Sequence, residues 1–103
     1  MIDWPREKME KFFNESGTGL VYFYTPLCGT CQMAGKMLNV VEQLHPDLSM
    51  GKVNLNFLPE TADEFKVESV PCLLLVKDGT VKDKLYAFHS VPYLHETIKQ
   101  TLQ

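Results

Sequence analysis

The sequence predicts an α/β protein: a three-layer α/β/α sandwich on a mixed four-stranded sheet, with elements in the order α-β-α-β-α-β-β-α. Three observations carry this. An apolar run, Leu20 to Tyr24, feeds the longest helical pattern in the chain, Cys28 to His45. A second strand pattern, Lys52 to Phe57, follows that helix, and two strands joined by a helix within one sheet form a right-handed parallel crossover. Asp78-Gly79 then separates two further strand runs, the signature of a type I′ hairpin, so the last two strands are antiparallel neighbours.

The elements follow in order. Asp3 is placed to cap a first helix with Pro5 in its first turn, and Met9, Phe12 and Phe13 recur at helical spacing before Ser16-Gly17 ends it. Leu20-Val-Tyr-Phe-Tyr24, bounded by Gly19 and Pro26, reads as a strand buried on both faces. From Cys28 to His45 the apolar positions Met33, Met37, Leu38, Val41 and Leu44 keep a period near 3.6 until Pro46 stops them. Lys52 to Phe57 alternates apolar with polar, and Pro59 to Lys66 is a short helix. Leu73 to Val76 is a second buried strand, and Val81 to Tyr86 is its hairpin partner. Ser90, with Pro92, Leu94, Ile98 and Leu102 behind it, starts a C-terminal amphipathic helix.

The 103 residues make one domain, 1–103. Surface scaling gives roughly 5,900 Å² folded against about 17,000 Å² unfolded, enough burial for a core without disulfides. At 45% apolar and 22% charged the composition is that of an ordinary globular protein. A net charge of −3 with no Lys/Arg cluster excludes nucleic acid and anionic membrane as expected partners. The N-terminus is charged from its third residue and lacks an apolar core segment, so no secretory signal is expected. The longest apolar runs fall far short of the ~20 residues of a spanning helix. A cytoplasmic monomer is the expectation.

Three cysteines cannot all pair within one chain, and a reducing compartment disfavours structural disulfides, which makes chemistry the expected use of these residues. Cys28-Gly29-Thr30-Cys31 sits where strand hands over to helix, and its i, i+3 spacing puts both sulfurs on one face of the first turn. Unpaired N–H groups and the helix dipole stabilise a thiolate there, lowering the first cysteine's pKa from about 8.5. Cys28 is then the nucleophile and Cys31, deeper in the helix, the resolving thiol. A zinc site is the alternative, but it requires a second ordered pair, and only Cys72, His45, His89 and His95 remain. No metal or organic cofactor is expected; zinc or an iron–sulfur centre on Cys28, Cys31 and Cys72 stands as a weaker reading.

Val21 to Cys31, Lys52-Val53-Asn54, Thr61-Ala62, Val70-Pro71 and Leu73 to Gly79 together resemble the thioredoxin family in order and spacing, from about Gly19 to the C-terminus. The resemblance implies a thioredoxin-like fold whose first strand is missing here. It also implies a thiol–disulfide oxidoreductase that reduces disulfide-containing protein substrates through a Cys28/Cys31 cycle and serves cell redox homeostasis and electron transport. A thioredoxin reductase or similar donor would regenerate it. It makes Pro71 the family's cis-proline, which presents the Val70 backbone to an extended substrate, with Leu27, Gly29 and Thr30 completing the surface that substrates meet.

Four departures from the family pattern stand out. Tyr22 occupies the place of a buried aspartate under the resolving cysteine, and a phenol cannot act as base at neutral pH. Lys52, left without that carboxylate, either favours a thiolate electrostatically or is a strand-end surface charge. Leu27 replaces a tryptophan, and Thr30 replaces a proline, adding an N–H and a hydroxyl donor that should make the disulfide more oxidising. Cys72, directly after Pro71, reads either as a small buried residue at a strand start or as a third thiol near the active-site surface that forms an alternative disulfide. The rival function is a thioredoxin-like binding or redox-sensing module without turnover.

Overall fold

A computed structural model describes residues 1–103. Its elements are β1 (Ile2–Asp3), α1 (Arg6–Asn14), β2 (Gly19–Tyr24), α2 (Gly29–Leu44), β3 (Ser49–Asn54), α3 (Glu60–Glu64), β4 (Cys72–Lys77), β5 (Thr80–Leu85) and α4 (Val91–Leu102). The sheet runs β1-β3-β2-β4-β5, with β1, β3 and β2 parallel and β4 and β5 antiparallel to their neighbours. The three-layer α/β architecture and the parallel crossover are as expected.

The sheet has five strands, not four, and the first strand is present. β1 is two residues long, Ile2 opposite Gly51 and Asp3 opposite Lys52, too short to show any alternation. The Trp4 N–H donates to the Lys52 carbonyl at 2.8 Å, and the Trp4 indole packs flat on Gly51. A Cβ at Gly51 would lie 1.9 Å from that ring, so the close approach itself requires glycine. Asp3 accordingly does not cap α1, whose N-cap is Pro5 with no side-chain hydrogen bond. At the other end Ser16 takes the left-handed conformation (φ 56°), and the Gly17 N–H reaches back to the Phe12 carbonyl at 2.8 Å.

β3 starts and ends earlier than its alternating pattern suggests. The Leu55 N–H still bonds to the Tyr24 carbonyl, but Phe57 and Leu58 then both donate to the Asn54 carbonyl, so the apparent alternation continues into a turn that leaves Phe57 exposed. The hairpin is as predicted, with φ of 53° at Asp78 and 79° at Gly79. Ser90 caps α4 by accepting the Tyr93 N–H at 3.2 Å.

Strand alternation divides the core. Leu20, Tyr22, Leu73 and Leu75 pack under α2 and α4 with Leu38, Val41, Leu94 and Ile98. Val21, Phe23, Leu74 and Val76 pack on the opposite face with Trp4, Met9 and Phe12. The total exposed surface of 5780 Å² is close to the expected value. His45, the C-cap of α2, is buried and shares a 2.8 Å hydrogen bond with His95 of α4, fastening the far end of the helix that carries the cysteines. His45 and His95 are therefore not isolated residues.

Candidate active site

β2 delivers the chain through Thr25, Pro26 and Leu27 to the start of α2, where Cys28 is the N-cap residue. Its sulfur accepts the Cys31 backbone N–H at 3.2 Å and lies 3.3 Å from the Thr30 hydroxyl. Hydrogen bonds from the Cys31 thiol and from Thr30 hold the Cys28 pKa below its ordinary value, because they favour the thiolate. Cys31 is its opposite. Only 3% exposed, it is pushed up to about 11 by burial and then by its contact with Cys28. All three cysteines are free thiols. The site thus holds one accessible, acidified sulfur beside one buried sulfur that keeps its proton.

Leu27 stands 97% exposed at the rim, and a Cβ at Gly29 would meet nothing within 4 Å, so the surface on either side of Cys28 is open. The Val70–Pro71 peptide bond is cis, and Pro71 lines a groove of 300 Å³ with Thr30, Met33, Met37, Tyr86 and Phe88. Neither the N–H nor the C=O of Val70 takes part in a backbone–backbone hydrogen bond.

The Tyr22 phenol donates to the Cys31 carbonyl at 2.6 Å. Burial first, and the adjacent sulfurs next, raise its pKa well above the ordinary tyrosine value, so it is a fixed donor and no base. Lys52 is not without a carboxylate: its ammonium lies 3.9 Å from Asp3 and 5.2 Å from the centre of the Tyr24 ring. Tyr24, stacked on Tyr22 at 5.8 Å, donates to Asp3. Sequence reasoning missed both residues. The i, i+2 spacing of Tyr22 and Tyr24 on one strand signalled a shared face, whereas nothing marked Asp3 because its strand has two residues.

Cys72 does not join the site. It is fully buried among Phe23, Leu74 and Val76, on the sheet face away from α2, and burial pushes its pKa up to about 11. Its place in β4 gives it the opposite orientation to Leu73, which faces α2. The reading of Cys72 as a surface thiol is therefore corrected, and Cys28, Cys31 and Cys72 form no common cluster; no three His, Cys, Asp or Glu side chains are grouped to hold a metal ion.

Comparison with known proteins agrees with this geometry. Residues 5–100 match the family model described as Thioredoxin. The chain is 51% identical over 86 residues to the thioredoxin-like protein YusE of Bacillus subtilis, covering 84% of this chain and 81% of that one. It is 38% identical over 93 residues to thioredoxin of Staphylococcus saprophyticus, covering 85% and 86%. Among solved structures, oxidised mitochondrial thioredoxin 3 of Saccharomyces cerevisiae superposes with a TM-score of 0.80 at 26% identity, covering 91% and 88%.

Proposed function

The chain belongs to the thioredoxin family and is a thiol–disulfide oxidoreductase, and from that premise we propose that Cys28 and Cys31 form the dithiol that reduces disulfides in protein substrates. The observation that carries this is the asymmetry of the pair: an N-cap sulfur with two donors on it, next to a buried thiol that stays protonated. The Cys28 thiolate attacks one sulfur of the substrate disulfide, forming a mixed disulfide and releasing the other sulfur as a thiolate. Cys31 loses its proton and attacks the Cys28 sulfur. The Cys28–substrate bond breaks, the electron pair leaves on the substrate sulfur, and the Cys28–Cys31 disulfide remains. Two electrons then return from a thioredoxin reductase or similar donor.

Leu27, Gly29, Thr30, Val70 and Pro71 are the proposed substrate-binding residues. The unpaired Val70 backbone supports strand-like pairing with an extended segment, and the adjacent groove supports an apolar neighbour. In this reading the chain carries electrons to protein substrates as a cytoplasmic monomer. Separately, no helix is long and apolar enough to cross a membrane. In a reductase-coupled assay with insulin as disulfide substrate, the parent protein should sustain NADPH consumption and Cys28→Ser should not. Equal rates for the two would sink the mechanism, and a single redox change without turnover would favour a sensing module.

A further inference from the structure

Tyr22, Lys52 and Asp3 form one row across three strands: Tyr22 is the register partner of Lys52 between β2 and β3, and Asp3 is its partner between β1 and β3. Register partners in parallel strands share a face, here the one covered by α2. Cys31, Tyr22, Tyr24, Lys36 and Lys52 line a single pocket of 380 Å³ whose charged side chains are the two lysines; no carboxylate borders it. The Met1 α-ammonium at the pocket's edge is paired with Glu42 at 3.3 Å, whereas the Lys52 ammonium lies 3.9 Å from Asp3, which also receives the Tyr24 hydroxyl. Lys52 is thus held between an acid at the sheet edge and a cavity that reaches the buried thiol.

Burial and its contact with Cys28 hold the Cys31 pKa up at about 11, so at neutral pH the thiol must lose a proton before it attacks. Tyr22 already donates to the Cys31 carbonyl, and no carboxylate lines the pocket to take the proton. What eases this step is positive charge near the sulfur, and a carboxylate beside that charge weakens its field. We propose that Asp3 is a positioning residue for the resolving step: clamped by Tyr24 at the outer end of the row, it holds Lys52 toward the sheet edge and withholds part of its charge from Cys31. This rests on the reading of Cys31 as the resolving thiol. A partly exposed ion pair changes such a balance modestly, about two- to fivefold in rate.

The test is stopped-flow reaction of the reduced protein with 5,5′-dithiobis(2-nitrobenzoate) across pH. The first release of aryl thiolate reports attack by Cys28, and the second reports resolution by Cys31. Relative to the first phase, Asp3→Asn should speed the second about two- to fivefold at neutral pH and displace its pH profile downward by roughly 0.3–0.7 unit. Tyr24→Phe, which removes the clamp and keeps the ring, should act in the same direction. Lys52→Gln should slow the phase, Lys52→Arg should restore it, and Asp3→Asn placed on Lys52→Gln should add nothing. An unchanged second phase in Asp3→Asn, or an equal gain in the Lys52→Gln background, overturns the assignment of Asp3. A parent protein with no second phase overturns the reading of Cys31 itself, and this one with it.

Discussion

Replacing Thr30 with Val removes one hydroxyl from the nucleophile while keeping the branched shape and the backbone N–H. The hydroxyl lies 3.3 Å from the Cys28 sulfur, and the Cys31 N–H at 3.2 Å remains as a second donor. A hydrogen bond to a charged group contributes about 1.5–3 kcal/mol when shielded. Cys28 is half-exposed, so water replaces part of the lost interaction, which leaves about 1 kcal/mol. At 1.36 kcal/mol per unit, that raises the Cys28 pKa by about 0.7. Above that pKa the reduced form is destabilised by the same amount, and the potential of the couple becomes more negative by roughly 20 mV. Ultraviolet titration of the thiolate reads the first quantity, and equilibration with a glutathione buffer reads the second. A pKa that stays put or falls, or a potential that moves positive, refutes the role given to Thr30.

Two further predictions concern the scaffold. Cys72→Ala should leave disulfide reduction intact and lower unfolding stability by about 1 kcal/mol for the lost buried volume, with Cys72→Ser costing more because its hydroxyl is buried; native alkylation should label Cys28 and spare Cys72. Burial first, then His95 and Lys99, lower the His45 pKa below the usual histidine value. Because the unfolded chain takes up the proton first, the stability owed to neutral His45 is present above about pH 6.5 and is lost as pH falls toward the lower folded value. Denaturant midpoints measured across this range should show that decline, and His45→Gln should flatten it.

Much of this was legible in the residues. The Leu20–Tyr24 run, the helical spacing from Met33 to Leu44, the Asp78-Gly79 turn and the Ser90 cap each depend on local chemistry, and local chemistry is what a sequence displays. The placement of Cys28 and Cys31 was legible for the same reason: their spacing and the strand-to-helix junction put both at the start of α2. Tertiary contacts were not. β1 exists because Ile2 and Asp3 find a vacant edge of β3 and Trp4 finds Gly51, a match between residues far apart in the chain. The Asp3–Tyr24–Lys52 arrangement depends on that edge strand, which is why Lys52 read as a cation without a carboxylate. Cys72 read ambiguously because proximity to Pro71 says nothing of parity, and a strand places adjacent residues on opposite faces.

The division of labour between Cys28 and Cys31 is tested most directly by mapping the mixed disulfide. Cys31→Ser, incubated with a disulfide-containing protein substrate and analysed by mass spectrometry without reduction, should accumulate a stable adduct on Cys28, whereas Cys28→Ser should accumulate none. An adduct on Cys31 in the Cys28→Ser protein at a comparable rate, or no adduct on Cys28 in Cys31→Ser, would contradict the account.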